Sequence, residues 1–110
     1  MTLLEEFTFI KTKNVLFEGI SYLATAEGDL RERLAKIDAI YSLESKNFPN
    51  ELQSKWSNIM DLLSKYPSEN KDIGIIQSNL KRMQNRTASK IAILIVELYE
   101  EISDFNDQNI

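Results

Sequence analysis

The stretch Ile91-Ala92-Ile93-Leu94-Ile95-Val96-Glu97-Leu98-Tyr99 is the most apolar part of this chain, and its reading decides the fold. Around it, a seam recurs at Ile73, Ile76, Leu80, Met83, Thr87, Ile91, Leu94, Leu98, Ile102 and Phe105. Alternating steps of three and four keep such a seam on one side of a helix. The spacing predicts one long helix over residues 70–105. The rival reading is a strand, because Ile and Val favour extended backbone. A buried strand needs partners, however, and no other segment alternates or carries a hairpin signal. A membrane span needs about 20 apolar residues, far more than this stretch supplies. It is expected to be buried in protein, in this chain or in a second copy.

Composition narrows the possibilities further. At 110 residues, with 43% hydrophobic and 27% charged residues, the chain reads as one soluble domain. Three glycines and two prolines leave little room for β-turns and favour an all-α fold. With no cysteine and no histidine, disulfides, thiolate zinc sites and Cys or His nucleophile–base pairs are excluded. Met1-Thr2-Leu3-Leu4-Glu5-Glu6 is acidic where a secretory signal would be basic, so a cytoplasmic location is expected. The net charge of −4 argues against nucleic acid and anionic membranes as default partners.

Taken in order, residues 1–13 are ambiguous. Thr2-x-x-Glu5 fits a capping box, but Phe7-Thr8-Phe9-Ile10 weakens a helix, which suggests a short turn or an apolar arm over the bundle. Asn14 is a candidate N-cap. From there Leu16, Ile20 and Leu23 form one seam, and Leu30, Leu34, Ile37 and Tyr41 form the next. Gly28 could end a helix with Asp29-x-x-Glu32 capping the next. The register nevertheless crosses it, and a mid-helix glycine costs only about 1 kcal/mol, so the balance favours a continuous or kinked helix over residues 14–45. Phe48-Pro49-Asn50 marks a boundary. A third helix follows on Leu52, Trp56, Ile59 and Leu63, with Trp56 as a core anchor, and Tyr66-Pro67-Ser68 stops it. The tail Asp107-Gln108-Asn109-Ile110 is expected to fray.

These lengths do not match. A third helix of about 17 residues covers roughly 25 Å, while a final helix of about 35 residues reaches roughly 52 Å. The apolar centre would project beyond its own bundle, leaving Ile91, Leu94, Ile95, Leu98 and Ile102 as an exposed patch that a homodimer would cover. Charge order supports the same idea. At 100° per residue, Arg82, Arg86, Ile93, Glu97, Glu100 and Asp104 share a stripe that is basic before Ile93 and acidic after it. An antiparallel two-fold pairing about Ile93 would set Arg86 on Glu100, Arg82 on Asp104 and Lys90 near Glu97, with Val96 widening the apolar centre. The expected fold is thus a small antiparallel helical bundle with a long C-terminal helix, completed by dimerisation. A turn in Gln84-Asn85-Arg86-Thr87, the polar gap of the last helix, would instead give a compact monomer. The seam crosses that gap in register.

Candidate chemistry is sparse. Glu97-x-x-Glu100-Glu101-x-x-Asp104 places helical acids where they could hold Mg²⁺. This pattern loosely resembles the acidic motifs of the all-α nucleotide pyrophosphatases; the likeness spans about eight residues, and the second acidic motif that the resemblance implies is missing. A basic face of Lys81, Arg82, Arg86 and Lys90, with Asn79, Gln84 and Asn85 as hydrogen bonders, could contact nucleic acid. No helix-turn-helix spacing or aromatic platform accompanies it. No Gly-rich phosphate loop, His-containing metal motif or activated nucleophile is present. The favoured expectation is a non-catalytic protein-interaction module, of the adaptor, immunity, antitoxin or regulatory kind, that binds itself and another protein. No cofactor, metal, membrane or small-molecule substrate is expected.

Overall fold

The computed structural model describes residues 1–68 and 73–109. Every regular element among them is helical: α1 (Leu3–Thr25), α2 (Leu30–Ala35), α3 (Asp38–Tyr41), a 3₁₀ turn (Ser45–Asn47), α4 (Asn50–Leu63), α5 (Ile75–Arg82) and α6 (Asn85–Asn109). The molecule measures 42 × 27 × 21 Å. Its long axis follows α1 and α6, which run antiparallel: Phe9 meets Phe105 edge-on at 5.7 Å, and Phe17 meets Tyr99 at 5.9 Å.

Helix α1 corrects the expectation for the N-terminal residues, which form neither a loose arm nor a short turn. Its capping box is complete, with Thr2 Oγ1 accepting from the Glu5 N–H at 3.1 Å and the Glu5 carboxylate accepting from the Thr2 N–H at 3.3 Å. The β-branched and aromatic run is held helical by tertiary contacts. Phe9 is buried against α6, and the buried Thr12 hydroxyl donates to the carbonyls of Thr8 and Asn47 at 2.9 and 2.8 Å. Burial of this kind outweighs propensity differences of a few tenths of a kcal/mol per residue. Asn14 lies inside α1 and caps nothing.

The continuous helix expected over residues 14–45 is broken at 26–29. Gly28 takes φ +104°, a conformation that favours glycine, and Asp29 caps α2 by accepting from the Arg31 N–H at 2.8 Å. The long final helix is broken as well, between α5 and α6, where Met83 is extended at φ −70°, ψ 143°. Its expected start near Asn70 lies outside the described residues. Both breaks are joined by one side chain. The Arg31 guanidinium, held by Asp29 at 3.1 and 3.3 Å, donates to the Met83 carbonyl at 2.9 Å. A carbonyl freed by a helix break needs such a partner. The seam's register was compatible with continuity, but this contact and the packing of α2 against α5 favour the turn.

Helix α4 matches its expected seam: Leu52, Trp56, Ile59 and Leu63 are all buried, and Trp56, 2% exposed, stacks on Phe48 at 5.1 Å. The core gathers these with Leu16, Ile40, Ile91, Ile95, Leu98 and Ile102. At the α1–α3 crossing Gly19 lets the helices touch, since a Cβ there would fall 2.2 Å from Ile40 Cδ1. At the other end of the chain α6 continues through Asn109; Ile110 lies outside the described residues.

Candidate functional site

With α5 turned away at Met83, α6 is short enough to be covered by α1 and α4. Ile91, Ile95, Leu98 and Ile102 are therefore buried in their own chain and Leu94 is half-buried, which overturns the exposed patch expected at these positions. The overhang that required a second copy as cover does not exist.

What remains exposed is the opposite side of α6. Arg86, Lys90, Ile93, Glu97, Glu100 and Asp104 all face solvent, as the helical spacing predicts, and Ile93 is 57% exposed. Arg82 does not share that stripe. It sits on α5, beyond the Met83 turn, with its guanidinium 5.3 Å from the centre of the Tyr66 ring.

Beside the stripe lies a groove of about 560 Å³ between α1, α2 and α6, lined by Ile20, Leu23, Ala24, Leu30, Ala92, Ile93 and Val96, with Glu97 and Glu100 at its edge. Its origin is geometric. At this end small residues, Ala24 on α1 and Ala92 on α6, line the trough, whereas Phe9 and Phe105 pack ring on ring at the other. Small side chains leave a trough where large ones would close the seam. The groove joins Val96, Ile93, Glu97 and Glu100, four of the residues that the sequence proposed for an interface, to α1 residues that it did not.

A second apolar surface escaped the sequence reading. Leu3, Leu4, Phe7, Ile10 and Phe17 stand outward on α1, with Phe7 63% exposed. Positions 3, 7, 10 and 17 follow helical spacing, so the signal was present once residues 1–13 are read as helix.

The basic face is partly rearranged. Lys81, Arg82, Arg86 and Lys90 are all exposed. Lys65, Tyr66, Arg82 and Lys90 share a shallow cavity of about 490 Å³. Tyr66, 52% exposed, places an aromatic ring beside these basic residues, which the sequence reading did not find. Asn79, by contrast, is buried and committed: its amide pairs with the Tyr66 backbone in both directions, at 3.0 and 2.8 Å.

The acidic set does not converge. Glu101 turns to Lys55 on α4, Glu97 and Glu100 edge the groove, and Asp104 faces outward. Among the described residues no three acidic side chains gather where they could hold a metal ion. Among the described residues, two environments shift pKa values clearly. The Arg31 guanidinium and then the Arg31 N–H lower Asp29 below the ordinary carboxylate value, and the same hydrogen bond raises Arg31. Burial raises Tyr41, whose hydroxyl donates to the Leu34 carbonyl at 2.6 Å. Both belong to structural contacts, and none of these groups lines the groove. No described helix is long and apolar enough to cross a membrane. No protein-family model, curated protein or solved structure matches the chain.

Proposed function

We propose that this chain is a non-catalytic protein-binding module, and that the groove between α1, α2 and α6 is its binding surface. The supporting observation is an open, mostly apolar trough on the surface, edged by Glu97 and Glu100. Water in an apolar trough is displaced favourably, at roughly 25 cal/mol per Å² covered. The acidic edge selects an apolar helix face flanked by lysine or arginine.

A suitable test is NMR titration of the isotope-labelled protein with an amphipathic peptide carrying leucines on one face and lysines beside them. Amide shifts are expected at Ala24, Leu30, Ala92 and Val96, and they should vanish in Val96→Glu. Shifts spread evenly over the surface, or confined to α5, would sink the reading.

One observation favours a second reading, nucleic-acid contact by Lys81, Arg82, Arg86 and Lys90. The exposed Tyr66 ring beside Arg82 could stack on a base. This predicts oligonucleotide binding that weakens steeply as salt rises. The burial of Asn79 removes one hydrogen bonder from that face, and the net charge of −4 opposes it. The third possibility, a Mg²⁺-dependent nucleotide hydrolase, would require the dispersed acids of α6 to find partners on another helix. Nucleoside triphosphate turnover with Mg²⁺ that disappears in Glu97→Gln or Glu100→Gln would establish it.

A further inference from the structure

We infer that the occupant of the groove is a second copy of this chain, with α6 packed antiparallel on α6 of the other copy about a two-fold axis at Ile93. This rests on the reading of the chain as a binding module and names the partner at that same surface.

Charge order carries the inference. Along the exposed stripe, like charges stand one turn apart: Arg86 with Lys90, and Glu100 with Asp104. Neither Lys90 nor Glu97 has an opposite charge three or four residues away on α6. A helix built only to face water gains from Glu and Lys at that spacing and loses from like pairs. The polarity is also opposed to the helix dipole, with Arg86 in the first turn and Asp107 in the last. An arrangement unfavourable to a lone helix becomes favourable beside an antiparallel copy, where each basic half lies on an acidic one.

The geometry fits a two-fold axis. Arg86 and Glu100 are each seven residues from Ile93, so each meets the other across the axis, twice per dimer. By helical angle Lys90 and Glu97 lie on one side of Ile93, Glu97 near enough to the centre line to edge the groove, and Val96 and Ala92 lie on the groove side. A two-fold axis perpendicular to the helices sets like flank against like flank. The charged flanks therefore pair on one side, and the two grooves close on each other on the other side. Ile93, on the axis, meets its own copy, with Val96 and Ala92 beside it on the groove side. From Arg86 to Glu100 the contact is roughly 21 Å long. At a width of about 20 Å it covers on the order of 400 Å² per copy, in the range of weak, transient association. A reversible, concentration-dependent dimer is expected. Arg82 takes no part.

Sedimentation equilibrium, at low and moderate salt, tests this with five variants. The wild type should be dimeric at high concentration, and Ile93→Arg should be monomeric. Arg86→Glu and Glu100→Arg each replace two attractions by two repulsions and should weaken the dimer about tenfold or more. Combining Arg86→Glu with Glu100→Arg should restore it, because each reversed charge again meets its opposite. Circular dichroism confirms that each variant remains helical. A wild type that stays monomeric throughout overturns the dimer and leaves the groove to be judged by the peptide titration alone. Single swaps without effect, or a double swap that fails to restore association, overturn the register. A dimer that Phe7→Glu dissociates and Ile93→Arg does not would belong to α1, which also overturns the inference.

Discussion

Helix α4 and helix α1 handle apolar residues differently. In α4 every large core residue lies on one face, and Glu51, Ser54, Lys55, Ser57, Asn58 and Asp61 face water. In α1, Phe9, Leu16 and Leu23 fill the core while Leu3, Leu4, Phe7, Ile10 and Phe17 remain outside. Helix α4 has the apolar surface that folding requires and no more. Helix α1 has that and a surplus, which folding alone does not explain. The contrast separates residues that hold the fold from residues available for contact.

Two substitutions of large aromatics should show the contrast most strongly. Trp56→Ala empties a buried site stacked on Phe48 and should cost about 3–5 kcal/mol, read as a fall in the urea midpoint. Phe7→Ala removes a ring that is already in water and should stay within about 0.5 kcal/mol of the wild type. Equal losses would mean that the outer face of α1 is part of the core.

The next effects fall where α1 touches its neighbours. Gly19→Ala gains helix propensity but pushes into Ile40; overpacking of this kind costs about 1–3 kcal/mol, so net destabilisation is expected. No loss would mean that α3 yields freely. Arg31→Ala should cost about 1–2 kcal/mol and raise hydrogen exchange at both helix breaks, because one side chain serves both. Thr2→Ala should cost about 1 kcal/mol, with exchange rising in the first turn of α1 and not in α4.

The smallest effect is a pH dependence. Asp29 has a lowered pKa in the folded chain, so its contribution is present above the ordinary carboxylate value of about 3.9 and is lost as pH falls through the lowered value. Asp29→Asn should flatten that part of the acid-unfolding profile. An unchanged profile would mean that the Arg31 contact does not persist in solution.

Legibility followed locality. The α4 seam, the Pro49 boundary, the Thr2–Glu5 capping box and the outward stripe of α6 were readable, because residues within two turns determine them. The breaks at 26–29 and 83–84 were not, since the apolar register crosses both and the deciding contact, Arg31 with Met83, spans 52 residues. From that one misreading came the overhang and the exposed patch at Ile91, Ile95, Leu98 and Ile102. The groove was half legible. The sequence placed Ile93, Glu97 and Glu100 on one stripe with Val96 beside it, and these residues line its α6 wall together with Ala92. Its α1 wall depends on which small residues the antiparallel pairing brings together.

The pairing of α1 with α6 also orders events in time. The Asn106 side chain donates to the Phe9 carbonyl at 3.4 Å across 97 residues of sequence. Closing a loop of that length costs roughly 2 kcal/mol more than closing one of about 10 residues. Contacts of α1 with α2 and α3, and contacts among α4, α5 and α6, close shorter loops and can form first, so the pairing of α1 with α6 closes last. In native-state hydrogen exchange the end of α1 around Phe9 should then open at lower free energy than α4.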